Sequence, residues 1–235
     1  MKQSMILLHG LFGGLSNWEG VVGHFQTNYD IHIPPLPIYD QHSGDNLEFL
    51  LQFLENYISA AGLSNVILVG NSLGGHIAIL YAHRHPHTVA KLVLTGSSGL
   101  YENTSMGSYP KRGNYAYIRE RVEYTFYDPA TATDALVAEV FQTTSNARKC
   151  YNIVKMAKSA QRNYVGALLP EIPVNTLLIW GEDDKIAPPD VAREFQRLLP
   201  DATLVMLTQC GHAPMMEKPE EFNQVLEEFL KGMKN

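Results

Sequence analysis

Ser72 sits in Gly70-Asn71-Ser72-Leu73-Gly74-Gly75, directly after the apolar run Val66-Ile67-Leu68-Val69 and just before Ile77-Ala78-Ile79-Leu80-Tyr81. A serine hydroxyl attacks a carbonyl carbon only when a base removes its proton. A sharp strand-to-helix turn would lift that oxygen above a sheet, and the glycines at 70 and 74 leave room for it. The start of the next helix would place the Leu73 N–H beside a developing oxyanion. A glycine-rich helix N-terminus capped by Ser72 is also compatible with these residues, but an apolar run on each side favours the nucleophile. A base and an orienting acid are then required. Of nine histidines, His24, His42, His83, His85 and His87 fit surface or packing roles. His76, on the helix after Ser72, is a rival base, whereas His212 follows Gly211 in a late turn. The acid is Asp183 or Asp184, in Trp180-Gly181-Glu182-Asp183-Asp184. Cys210 fits packing, since a thiolate nucleophile would need a base of its own.

The elements that must position these groups alternate. Nearly continuous apolar runs at Met5–Leu8, Ile31–Ile33, Val66–Val69, Leu92–Leu94, Thr176–Trp180 and Thr203–Leu207 predict strands covered on both faces. Asn46–Ala61 sets Leu47, Leu50, Leu51, Leu54 and Ile58 on one helical stripe and stops at Gly62. Ser72–His83, Pro189–Leu199 and Pro219–Met233 read as further helices. This rhythm predicts a mainly parallel sheet with right-handed crossovers. Ser72, Asp184 and His212 would then lie past the C-terminal ends of strands, the edge where open α/β sheets bind ligands. Between Leu94 and Thr176 the rhythm breaks. Gly96–Gly113 reads as loop, and Tyr115–Tyr127, Ala130–Gln142 and Asn146–Gln161 read as helices. Residues 98–170 are therefore expected to form an inserted helical cap on a core of 1–97 and 171–235.

The elbow and three further segments resemble the α/β-hydrolase family. Leu7-Leu8-His9-Gly10-Leu11-Phe12-Gly13 is similar to its strand-end His-Gly loop, which implies the Leu11 N–H as a second oxyanion donor. The segment Gly181 to Pro188 resembles the acid loop and implies Asp184 rather than Asp183. Gln209-Cys210-Gly211-His212-Ala213-Pro214, with Glu217, Pro219 and Phe222, resembles the histidine loop. The order Ser72, Asp184, His212 is that of the family. The resemblance implies an α/β fold with about six strands, lacking the family's first two, and the Ile31 strand at one edge. Pro34-Pro35-Leu36-Pro37 stands where the family commonly has an Asp-Arg-Gly type of loop, so the entrance wall should differ.

The formal charge of −6 argues against a nucleic-acid partner, and no apolar run approaches the ~20 residues of a membrane span, so neither a nucleic-acid nor a membrane partner is expected. Two cysteines give no disulfide framework, and no metal-ligand spacing or nucleotide-binding loop appears, so no metal or cofactor is expected. The four apolar residues at the N-terminus do not read as a signal peptide, and a cytoplasmic location is the default expectation. The leading expectation is a serine hydrolase of a small acyl substrate, a carboxylic ester, working through an acyl-enzyme. The alternatives are a C–C bond hydrolase, which the Gly-Asn-Ser-x-Gly-Gly elbow resembles, a lyase, or a slow-turnover ligand sensor. The cap carries nine Lys/Arg against six Asp/Glu and eight of the twelve tyrosines. Arg112, Tyr115, Arg119 and Arg148, with Phe12 beside the His-Gly loop, are therefore candidate substrate contacts, the arginines for a carboxylate. Pairing with Glu120 and Glu123 on solvated helix faces is the competing role for those arginines.

Overall fold

The computed structural model describes residues 2–13, 18–102 and 111–232; Gly14, residues 103–110 of the Gly96–Gly113 loop, and Met233 lie outside them. The strands are β1 (Gln3–Leu8), β2 (Tyr29–His32), β3 (Val66–Asn71), β4 (Val89–Thr95), β5 (Thr176–Gly181) and β6 (Ala202–Leu207). They form one six-stranded sheet in the order β2-β1-β3-β4-β5-β6, and every neighbouring pair is parallel. All six residues of β3 and of β5 are buried, which is why these runs carry almost no polar side chains. Strand pleating sends alternate side chains to opposite layers. Met5 and Leu7 join Val69, Ile179 and Phe222 on one side, and Ile6 and Leu8 join Leu68, Leu178 and Phe195 on the other.

Helices cover both faces: α1 (Glu19–Phe25), α2 (Asn46–Ala60), α3 (Leu73–Arg84), α7 (Pro189–Leu198), α8 (Pro214–Glu217) and α9 (Pro219–Leu230). The expected stripe of α2 is buried, and its first turn is closed by the Asp45 carboxylate, which accepts from the Leu47 and Glu48 N–H groups. Between β4 and β5 lie α4 (Tyr115–Tyr124), α5 (Asp134–Ser145) and α6 (Ala147–Arg162), with no strand among the described residues. α5 starts four residues later than its apolar pattern suggested. Asp128 caps a separate 3-10 turn at Pro129–Thr131, and Thr133 then caps α5 afresh. The seven-residue α1 has no counterpart in the sequence reading. It is too short for helical periodicity to register, and it is held by burial of Val21 and Phe25. No helix among the described residues is long and apolar enough to cross a membrane.

Candidate active site

Leu8 pairs with Gly70, and Gly70 with Leu94, so β1, β3 and β4 end side by side. Ser72 lies at this edge with φ 53° and ψ −119°, between the last residue of β3 and the first of α3. A non-glycine residue held there stores about 1–3 kcal/mol of backbone strain, which the surroundings must overcome. They do so with three backbone hydrogen bonds. The Ser72 N–H donates to the Thr95 carbonyl at 3.1 Å, and the Ser72 carbonyl accepts from the His76 and Ser98 N–H groups, each at 3.1 Å. Gly74 is required by close approach, because a Cβ there would stand 2.2 Å from the Leu8 carbonyl oxygen.

Asp184 and His212 come from the loops after β5 and β6. Asp184 Oδ1 accepts from the Ile186 and Ala187 N–H groups at 2.8 and 2.9 Å, and Oδ2 lies 2.9 Å from His212 Nδ1. A carboxylate only accepts, so Nδ1 carries the proton and Nε2 keeps its lone pair. Asp183 is exposed and contributes only its backbone N–H, to the Cys210 carbonyl at 2.9 Å. His212 is buried, and burial disfavours its cation. The charge and hydrogen bond of Asp184, helped by Glu102 and Glu217, outweigh that and hold its pKa above the ordinary 6.5.

The histidine loop is tied to the chain just after α4. The His212 N–H donates to the Thr125 carbonyl at 2.9 Å, and the Asn71 side-chain amide donates to the His212 carbonyl at 3.1 Å. Glu217 accepts from Gly211 N–H at 2.9 Å and from Tyr127 N–H at 2.7 Å, clamping the two segments together. Burial raises the Glu217 pKa, and those N–H donors oppose the rise. Gly211 has no space for a side chain, since a Cβ would meet the Thr125 carbonyl oxygen and the Tyr127 nitrogen at 2.8 Å.

His9 has a structural duty that the sequence did not disclose. Its Nε2 accepts from the Leu36 N–H at 3.2 Å, so its Nδ1–H donates to the Gly10 carbonyl at 2.8 Å. Burial lowers its pKa and keeps it in this neutral form. One imidazole thus holds both the His-Gly loop and the Pro34–Pro37 wall. His76 is also buried, 3.4 Å from both Ser98 Oγ and Asn163 Oδ1, with a pKa pushed down to about 4. It lies outside the cavity lining, which removes it as a rival base. Cys210 is fully buried, and burial drives its thiol pKa far up, as packing requires.

Ser72 and His212 line one cavity of about 320 Å³, together with Leu11, Phe12 and Leu73. Its far walls come from α4, α5 and α6, among them Ile118, Val140 and Ile153. At about twice the ~150 Å³ that accommodates benzene, it has room for roughly a dozen non-hydrogen atoms. Four of the expected substrate contacts need correction. Arg112 and Arg148 are exposed, and Tyr115 is 39% exposed, edge-on to Phe141. Arg119 is ion-paired with Asp134 and, at 3.6 Å, with Glu123. None of the four lines the cavity. Tyr115, Arg119 and Arg148 sit on helix faces turned to the outer surface, and Arg112 on the turn before α4; acidic partners hold Arg119 there. The polar lining is instead Ser98, Glu102, Arg121 and Gln161, with Asn71 and two threonines. Burial raises the Glu102 pKa, opposed by His212 and by hydrogen bonds to Gln161 and Ser98. No local signal marks Glu102, because apart from Ser98 its neighbours come from α6 and from the acid and histidine loops.

A sequence profile of the alpha/beta hydrolase family matches residues 5–225. The chain belongs to that family. A solved alpha/beta hydrolase enzyme from the metagenome of sediments from the Mar Chica lagoon, Morocco, is 38% identical to this hydrolase. The match covers 99% of this chain and 92% of that one, with a TM-score of 0.79. The 2-hydroxy-6-oxononadienedioate/2-hydroxy-6-oxononatrienedioate hydrolase of Paraburkholderia phymatum is 28% identical, covering 97% of this chain and 87% of that protein. The 2-hydroxy-6-oxo-6-phenylhexa-2,4-dienoate hydrolase of Comamonas testosteroni is 27% identical, covering 97% of this hydrolase and 86% of its relative. Both relatives are named as hydrolases of 2-hydroxy-6-oxo acids rather than of esters.

Proposed function

We propose that this hydrolase cleaves a carbon–carbon bond next to the ketone of a vinylogous 1,5-diketone acid, with Ser72 as nucleophile. The observation that carries the reading is one cavity lined by both Ser72 and His212, with His212 oriented by Asp184. His212 takes the Ser72 proton as the oxygen adds to the ketone carbon. The N–H groups of Leu11 and Leu73 receive the oxyanion. When the tetrahedral adduct collapses, the carbon leaving group departs with the electron pair and takes a proton from His212. Water then releases the acyl group from Ser72 by the same route. A carbon leaving group needs a conjugated carbonyl to spread its charge: in a 2-hydroxy-6-oxodienoate the 2-hydroxyl proton must first pass to C5, so that C5 becomes the γ-carbon of an enone and departs as a dienolate. The names of the two relatives support this choice over an ester, as does Arg121 on the lining, where a guanidinium suits a substrate carboxylate. In the same reading, residues 98–170 are a cap and Phe12 flanks the acyl group. Carboxylic-ester hydrolysis is the second reading, favoured by the apolar side chains that α4, α5 and α6 turn toward Ser72.

The test compares kcat/KM for 2-hydroxy-6-oxodienoates, followed by loss of their conjugated absorbance, with that for p-nitrophenyl esters of matched acyl size. The dienoate is expected to lead, and Arg121→Gln to reduce its kcat/KM by about 10–100-fold, the worth of one charge-assisted contact. Preference for the ester in the parent protein overturns the C–C reading in favour of the second.

The base must be neutral to accept the Ser72 proton. Because Asp184 raises the His212 pKa above 6.5, kcat/KM is expected to fall on acidification through an apparent pKa above that value. A pH–rate series on one substrate measures it, and an acid limb well below 6.5 contradicts the assignment of His212.

A further inference from the structure

From residue 140 to residue 170 the chain holds no Asp or Glu and five Lys/Arg, while the rest has 13 Lys/Arg against 24 Asp/Glu. The overall charge of −6 therefore hides a segregation of +5 from −11. Within α6 the basic residues are not scattered. Arg148, Tyr151, Lys155, Lys158 and Arg162 follow at steps of three and four, which at 3.6 residues per turn is one stripe. The stripe is roughly 20 Å long at 1.5 Å per residue. The opposite face holds the buried Ile153, Met156 and Ala160, and Ile153, Ala157 and Ala160 line the cavity. Arg148, Tyr151 and Arg162 are exposed, whereas Lys155 and Lys158 are half-buried, with long stems that can extend their charge to water. Among the described residues, Arg84, Arg119, Arg193 and Arg197 are all ion-paired, but Arg148, Lys155 and Arg162 enter no ion pair. Tyrosines accompany the charge: Tyr151 is 68% and Tyr164 63% exposed.

We infer that the outer stripe of α6 is a peripheral docking surface for an anionic lipid bilayer. A straight line of cations suits an extended plane of headgroups better than a small anion. Exposed tyrosine rings suit the boundary between headgroups and acyl chains. The acidic remainder of the molecule is repelled by the same plane, which favours approach by this face. Docking would set the helix between the lipid surface on one side and the apolar cavity on the other. It needs no turnover, so it is independent of the bond that Ser72 cleaves.

The test is sedimentation of the full chain with vesicles of phosphatidylcholine alone and of phosphatidylcholine mixed with phosphatidylglycerol. Binding is expected only to the mixed vesicles and is expected to weaken with added salt. Lys155→Gln/Lys158→Gln/Arg162→Gln should reduce partitioning on the order of 100-fold, while Arg193→Gln/Arg197→Gln on α7 leaves it unchanged. Equal binding to both vesicle types, or mixed-vesicle binding that survives the triple substitution, overturns the inference. So does binding to duplex DNA or polyglutamate without binding to vesicles. A separate readout needs no charge removal. Tyr151→Trp should show a blue-shifted emission with the mixed vesicles only, and an unshifted emission counts against the inference.

Discussion

Ser72→Ala is expected to lower kcat by roughly 10³-fold or more while leaving the folded state intact, because nucleophile, base and acid act as a unit. The strain at φ 53° is a backbone property that alanine shares with serine, and the three hydrogen bonds holding the turn are made by backbone groups. The thermal midpoint should therefore move little. A fluorophosphonate should label the parent protein stoichiometrically at Ser72 and leave the alanine variant unlabelled. An adduct on another residue, or kcat within tenfold of the parent, would show that a different group attacks the carbonyl.

Asp184→Asn is expected to cost about 10⁴-fold in kcat, and Asp183→Asn close to nothing. The asymmetry follows from the hydrogen bonds. In the variant the amide oxygen would keep the Ile186 and Ala187 N–H donors, which leaves the NH₂ group facing His212 Nδ1. An NH₂ group donates, so the imidazole would have to move its proton to Nε2 and could no longer accept one from Ser72. Loss of the carboxylate charge also removes the main support for the raised His212 pKa, so the acid limb of any residual activity should move to lower pH. Asp183 is exposed and contributes only backbone to this loop, so its side chain has nothing to lose. Steady-state kinetics on the two variants decide it, and equal losses would mean that the acid had been misplaced by one residue.

What could be read from the chain alone is what local spacing encodes. The apolar runs of β3 and β5 announced strands buried on both faces, and the stripe from Leu47 to Ile58 announced α2. The glycines around Ser72 announced a turn too tight for a Cβ, as Gly74 against Leu8 bears out. Strand–helix alternation was enough for the parallel sheet, whereas its edge strand β2 was implied only by the family resemblance. Side-chain partners across the sheet were not readable, because they depend on which crossovers come to lie together. Arg119 was a plausible carboxylate holder until the packing of α4 on α5 put Asp134 beside it, whereas Arg121 lines the cavity. Glu102 and Gln161, 59 positions apart, meet only because α6 returns across the mouth of the sheet. His9 holds Leu36 from 27 residues away, and Glu217 reaches Tyr127 from 90. The sequence by itself determined the strands and the longer helices and the residue types at their ends, since periodicity and turn sterics act over a few residues. Tertiary structure alone decided which of those residues share a cavity, because burial and charge pairing are settled by neighbours that the chain order does not specify.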